Sequence, residues 1–248
     1  MKILFITPDF FPSVGGVERM VEGLAKSLEA RNHTITILTR TSYIGEEPFR
    51  FKVIRDFSQQ SVFQHAKNCD LAVYFNLSLK NIGPFFLIST PLVMVHGGLY
   101  RGIFAPLKKW ISYFRSSAQI SCSEFVAKHF IASKVIYNFY QNELFLKAMD
   151  LANRKIEVVF VGRLVPEKGC DLLLKAIHQL SKLNIKPRVW IIGSGPEASN
   201  LKTLSTDLGL EKQVSFLGQK TGKELAEKLN QCTIMVVPTI IQEGFGIV

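Results

Sequence analysis

A chain of 248 residues is longer than a typical single domain and long enough for two, each with its own core. With 47% hydrophobic and 20% charged residues it is globular, which excludes a disordered or low-complexity protein. The formal net charge of +10 favours an anionic partner, and charge alone does not choose among nucleic acid, an acidic membrane and a phosphorylated substrate.

The four cysteines, Cys69, Cys122, Cys170 and Cys232, stand far apart, with neither metal-ligand spacing nor the density of a secreted disulfide framework. They read as buried thiols of a reducing compartment. The N-terminal apolar run is ended by Pro8 and Asp9, too early for a signal peptide, and the apolar stretch 82–95 is broken by Pro84 and Pro91 and too short to cross a bilayer. A soluble cytoplasmic protein is the expectation.

In chain order, residues 2–7 (KILFIT) read as a buried strand, and the loop PDFFPSVGG that follows ends in Gly15 and Gly16. Val17, Met20, Val21, Leu24, Ala25 and Leu28 share one helical face, which predicts an amphipathic helix over 17–30. Strand, glycine loop and helix make an anion-binding geometry, although a simple turn also accounts for a glycine pair. Residues 34–39 form a second strand and complete a right-handed βαβ unit. After a polar connection, 70–75 and 92–95 read as strands, the latter running into His96, Gly97 and Gly98. A histidine at the carboxyl end of a parallel strand can hydrogen-bond a substrate or merely cap a loop. Ser121, Ser123 and Glu124 predict a capping box that starts a helix through Phe130, and 134–137 is the last strand of this half.

Between Leu71 and Ser123 there is no acidic residue, while Lys80, Arg101, Lys108, Lys109 and Arg115 alternate with Tyr100, Phe104, Trp110, Tyr113 and Phe114. Such alternation suits a surface lying against anionic lipid headgroups, with Arg101, Lys108, Lys109, Trp110 and Arg115 on the membrane side. An ordinary domain face with its aromatics in the core is the alternative. Single-stranded nucleic acid would also suit aromatics among cations, but no nucleic-acid motif is visible.

Residues 141–155 read as a linker with a short helix, dividing an N-terminal domain, 1–140, from a C-terminal one, 156–248. The second half repeats the rhythm: strands over 156–161, 188–192, 214–217 and 233–237, with helices over 171–183, 196–208 and 222–229. Thr221 and Glu224 make a second capping box. Two halves that each alternate strand and helix imply two doubly wound α/β domains with a cleft between them.

The chemistry centres on residues 158–169, VVFVGRLVPEKG, where a buried strand stops at a glycine and Arg163, Lys168 and a second glycine precede a helix. Two full charges beside a helix N-terminus suit a diphosphate, while two solvated cations beside a turn is the bland alternative. Gly193, Gly195 and Ala198 match a dinucleotide fingerprint and support a nicotinamide or flavin dehydrogenase. Against that reading, the match lies on the second strand of its half and no acidic residue ends the next strand to hold a ribose.

The loop with Gly15 and Gly16, the strand-end His96, VIYN at 135–138, VGRLVPEKG at 161–169, IIGSGPE at 191–197, VSFLGQ at 214–219 and PTIIQEGFGIV at 238–248 occur in one order. Together they resemble family-four retaining glycosyltransferases of the GT-B fold, over essentially the whole chain. The resemblance implies two Rossmann-like domains facing a cleft, the N-terminal one on the acceptor side and the C-terminal one binding a nucleotide-sugar. It implies that Arg163 and Lys168 bind the donor diphosphate and that the Gly15–Gly16 loop approaches the same phosphates. Glu243, with the backbone of Gly244, Phe245 and Gly246, would contact the donor sugar, Gly193 and Gly195 would line the nucleotide site, and His96 would face sugar and acceptor as a catalytic residue. The implied reaction is a metal-independent hexosyl transfer with retention to a saccharide or lipid-linked acceptor, in polysaccharide or glycolipid biosynthesis. No cofactor and no nucleic acid are expected, and the expected partner surface is the inner face of the cell membrane.

Three positions depart from the family pattern. A second glutamate expected eight positions after Glu243 would fall at position 251, beyond Val248, so the second domain is expected to be incomplete; Phe139 stands where a glycine is usual; and the segment between Arg40 and Asp70 is short. A truncated, non-catalytic fragment or helper subunit is therefore an alternative reading, and a dehydrogenase a lesser one.

Overall fold

The computed structural model describes residues 1–139, 150 and 153–246. Most of the expected linker lies outside the described residues. The described chain falls into two units, one of residues 1–139 together with 243–246, the other of residues between 150 and 242.

In the first unit the sequence KILFI forms β1 (Lys2–Ile6), whose last four residues are all buried. A strand apolar on both faces belongs in the interior of a parallel sheet. β1 pairs in parallel with β2 (Thr34–Leu38) on one side and with β4 (Leu71–Phe75) on the other, Phe5 standing opposite both Ile37 and Val73. β3 (Lys52–Ile54), β5 (Leu92–His96), β6 (Ala118–Ser121) and β7 (Ser133–Val135) complete a seven-stranded all-parallel sheet in the order β3-β2-β1-β4-β5-β6-β7. Alternate side chains feed two cores. Ile3 and Phe5 join Val21 and Ala25 of α1 (Gly16–Glu29) on one face, while Leu4 and Ile6 join Val62 and Ala66 of α2 (Gln59–Lys67) on the other.

The second unit has β8 (Ile156–Val161), β9 (Val189–Ile192), β10 (Val214–Gly218) and β11 (Cys232–Met235), parallel throughout, in the order β10-β9-β8-β11. Helices α5 (Cys170–Lys182), α6 (Ala198–Asp207) and α7 (Gly222–Leu229) connect them. Leu173, Leu174 and Ile177 of α5 bury against Val158, Phe160, Val189 and Ile191.

Elements absent from the sequence reading are β3, α2, β6 and α3 (Ala105–Arg115), and two capping boxes are corrected. Ser121 lies inside β6, fully buried, with its hydroxyl 2.7 Å from that of Ser133. The cap of α4 (Glu124–Ala127) is Ser123, which accepts from Val126 N at 3.2 Å, and the helix stops well short of Phe130. Thr221 occupies the N-cap position of α7 without a side-chain cap bond, and Glu224 pairs instead with Lys220 at 2.6 Å. Of the four cysteines, Cys122, Cys170 and Cys232 are buried and Cys69 is half-buried; all four are free thiols. Burial pushes the Cys170 thiol up to about 12.

Candidate functional site

In an open parallel sheet, ligands bind beyond the carboxyl ends of the strands where the strand order reverses. In the second unit that point lies between β8 and β11. β8 leads through Gly162 and Arg163 into a short 3-10 turn, Pro166–Lys168, and Gly169 then opens α5 in the left-handed region at φ 65°. A methyl group on Gly169 would strike the carbonyl oxygen of Pro238, which follows β11, and Ile240 N donates to Glu167 O at 3.0 Å. Gly193, at φ 151°, lies so close to Gly162 O that a Cβ would collide with it, and Gly195 is equally tight against Leu164 O. Leu164 N donates to Ser194 O at 2.9 Å and Glu197 N to Leu164 O at 3.0 Å. The loops after β8, β9 and β11 are thus fitted backbone to backbone. On this frame Arg163 is exposed and Lys168 half-buried. Gly193 and Gly195, expected to line the nucleotide site, have a packing reason to be glycine.

In the first unit the structure differs from the expectation that the His96 ring faces a ligand. The ring is fully buried and stacked on Phe130, with centroids 3.7 Å apart and planes 7° from parallel. Its Nε2 lies 2.9 Å from Gln119 Oε1, and its Nδ1 lies 3.0 Å from the Tyr100 hydroxyl. Because Gln119 Nε2 donates to Ile131 O at 2.6 Å, its Oε1 is the acceptor, so the proton sits on His96 Nε2 and Nδ1 accepts from Tyr100. Burial lowers the imidazole pKa to about 4, so the ring is neutral near pH 7. What reaches the sheet edge at this strand is backbone. Gly97 N donates to Asn76 Oδ1 at 2.9 Å, and Val17, in the first turn of α1 just after Gly15 and Gly16, lies beside Gly97.

Residues 243–246 sit on the same edge of this unit. A Cβ on Gly244 would come within 2.6 Å of Gly97 O, and the Ser123 hydroxyl donates to Gly244 O at 2.5 Å. Phe245 packs with Cys122, Val126 and Phe130, and Glu243 is half-buried. Phe139, at a position where the resemblance leads one to expect glycine, lies against Gly23 of α1. The structure therefore gathers Gly15, Gly16, the strand end after His96 and the Glu243–Gly246 segment in one unit, and Arg163, Lys168, Gly193 and Gly195 in the other.

The basic, aromatic segment folds into α3 with an inverted polarity. Leu107, Trp110, Tyr113 and Phe114 are exposed, as are Ile103 and Phe104 ahead of the helix. The cations turn toward the protein. Lys108 lies 5.5 Å from the Tyr100 ring and Lys109 5.7 Å from the Phe130 ring. Arg115 is corrected from a surface cation to a structural clamp, its guanidinium donating to Phe85 O and, at 2.6 Å, to Ile88 O. Arg101 is exposed.

A groove that the sequence reading missed lies in the first unit at the β1/β4 strand-order reversal. It has a volume of about 530 Å³, and Asp9, Arg40, Ser58, Asn76, Lys80 and Lys108 are among its lining residues. The available signal was a polar residue just beyond three strands: Asp9 after β1, Arg40 after β2 and Asn76 after β4. Which strands are neighbours is a tertiary fact that no local pattern carries. Among the described residues no group of His, Cys, Asp and Glu is placed to hold a metal ion, and no helix is long and apolar enough to cross a membrane.

Two all-parallel sheets with helices on most of their crossovers define an α/β protein of the doubly wound class. Anabaena HepE, solved in complex with UDP and glucose, matches with a TM-score of 0.76 at 20% identity over 99% of this chain and 76% of that one. The fold is that of GT-B glycosyltransferases. In sequence, residues 142–248 match the family described as Glycosyl transferases group 1. The D-inositol 3-phosphate glycosyltransferase of Stackebrandtia nassauensis is 32% identical over 111 residues, 41% of this chain, and the match spans only 25% of that relative's length. An uncharacterized glycosyltransferase of Methanocaldococcus jannaschii is 24% identical over 100% of this chain and 75% of its own length.

Proposed function

We propose that the protein moves a sugar from a nucleoside-diphosphate donor to a saccharide or lipid-linked acceptor, with retention and without a metal ion. The observation that carries this reading is the β8–α5 turn, where Arg163 and Lys168 precede the N-terminus of a thirteen-residue helix within the segment that matches group 1 glycosyl transferases. Departure of a diphosphate concentrates negative charge on one oxygen, and two fixed cations with a helix N-terminus lower that barrier without further reorganisation. In this reading Glu243 and the backbone of Gly244, Phe245 and Gly246 hold the sugar, and the Gly15–Gly16 loop serves the phosphates. The bond from the anomeric carbon to phosphate breaks as the bond to the acceptor oxygen forms on the same face, and the acceptor's proton passes to the leaving phosphate. His96 acts as a positioning residue, its ring tied to Gln119 and Tyr100 so that the strand end at Gly97 and Gly98 is fixed.

We also propose that the exposed face of α3 seats the protein on an anionic bilayer, peripherally and on the cytoplasmic side. Lys108, Lys109 and Arg115 are engaged inside the unit, so the apolar side chains supply most of the attraction, each worth about 1.5–3 kcal/mol if fully buried. Trp110→Glu with Phe114→Glu should abolish flotation with phosphatidylglycerol vesicles while leaving the melting temperature unchanged; retained flotation would refute the membrane reading.

The donor site is tested by thermal stabilisation with UDP, GDP, ADP and NADH. A ligand at a hundredfold excess over its dissociation constant stabilises the folded state by about 2.7 kcal/mol. A shift with one nucleoside diphosphate, absent in Arg163→Ala, is expected and would identify the base; a shift with NADH alone would overturn the reading in favour of a dehydrogenase.

A further inference from the structure

The groove at the β1/β4 reversal has a charge character that the donor site does not explain. Arg40, Lys80 and Lys108 line it against a single carboxylate, Asp9, which lies 3.2 Å from Arg40. The Arg40–Asp9 pair is more than half exposed at both ends, so it neutralises Arg40 only weakly. Lys80 is exposed, and Lys108 enters from α3, its ammonium held over the Tyr100 ring. Asn76, whose Oδ1 already accepts from Gly97 N, adds amide donors at the same edge. Helix α2 contributes little field of its own, because Ser58 Oγ takes the Ser61 N–H and the Asp56 carboxylate caps Ser58. Side-chain cations therefore set the preference, at the place in a doubly wound sheet where ligands bind.

We propose that this groove binds an acidic group, a phosphate or carboxylate, and that in the transfer reaction this group belongs to the acceptor. The second clause rests on the glycosyl-transfer reading, whereas anion binding does not. One helix would serve both ends of a lipid-borne acceptor: α3 places Lys108 in the groove and Leu107, Trp110 and Phe114 on its exposed face. A soluble sugar phosphate offers the same anionic chemistry, so the source of the phosphate is decided by experiment.

The test is titration of the full chain with glucose 6-phosphate and with glucose, followed by amide chemical-shift changes, with UDP, GDP and ADP titrated in parallel. Glucose 6-phosphate should bind at least about tenfold more tightly than glucose and shift resonances of Asn76 and Lys80. Arg40→Gln combined with Lys80→Gln should erase that preference, with UDP affinity unchanged, while Lys134→Gln, an exposed cation on β7, should leave it intact. Equal affinity for the two sugars, or a preference that survives the double substitution, would overturn the proposal. Absence of binding by UDP, GDP and ADP alike to the parent chain, with the sugar-phosphate preference intact, would sink the transfer reading and leave the anion site standing. Adding phosphatidylglycerol or phosphatidylcholine vesicles assigns the source. Anionic-vesicle binding that falls in the double variant places the phosphate on a lipid; vesicle binding that persists while the glucose 6-phosphate preference is lost places it on a soluble acceptor.

Discussion

The two strand-order reversals of this chain solve the same topological problem in opposite ways. At β8/β11 the loops close on one another through glycines, and two basic side chains, Arg163 and Lys168, stand on that frame. At β1/β4 side chains from five segments line an open groove. A reversal fitted backbone to backbone tolerates almost no added atoms. A site lined by side chains can change its ligand by substitution at little cost to the fold.

The largest expected effect breaks the closed reversal. Gly193→Ala adds a methyl against Gly162 O at a backbone angle that other residues rarely adopt, and should cost about 3 kcal/mol. In a unit of this size that lowers the melting temperature by more than about 10 °C, measurable by calorimetry.

A comparable effect should appear with pH in the first unit. The His96 pKa is lowered from 6.5 to about 4 by burial, so below pH 6.5 the unfolded chain takes up a proton that the folded one refuses. The stability tied to this ring is complete above pH 6.5 and is lost as pH falls toward 4, by about 3 kcal/mol over the interval. Denaturant titrations should show this slope, and His96→Gln should flatten it; an unchanged slope would mean that another group is responsible.

A smaller effect tests the seat of the 243–246 segment. Ser123→Ala removes both the donor to Gly244 O and the cap of α4, and should cost about 1 kcal/mol in denaturant titrations. The smallest effect completes the contrast between the two units. Gly98→Ala meets no atom within 4 Å and should change stability by less than about 0.5 kcal/mol in the same titrations.

Much of the second unit was legible because its strands are short apolar runs and its helices carry clean apolar stripes; the bounds of β8 and α7 are those read from the sequence. The first unit was less legible for reasons that particular residues make plain. β6 carries Gln119 and Ser121 among its buried residues, polar groups paired deep in the sheet, and so does not look like a strand. Helix α3 has Leu107, Trp110, Tyr113 and Phe114 outward and its cations inward, with Ile111 its apolar contact to the core, which reverses the rule by which a stripe is assigned to the core. Arg115 and His96 were read by type, as a surface cation and a ligand-facing histidine, whereas their neighbours make them a clamp and a buried hydrogen-bonded ring. The groove depends on strand order, and the tight fit of Gly193 and Gly195 depends on which carbonyls lie opposite them; neither is encoded locally.

The most direct test of the proposed donor site is isothermal titration of UDP, GDP and ADP into the parent chain, Arg163→Ala and Lys168→Ala. One of the three nucleotides should bind the parent, and each substitution should weaken it by about ten- to a hundredfold, the loss of one charge-assisted contact to phosphate. Binding of a nucleoside diphosphate that is indifferent to both substitutions would contradict the assignment of the β8–α5 turn as the diphosphate site.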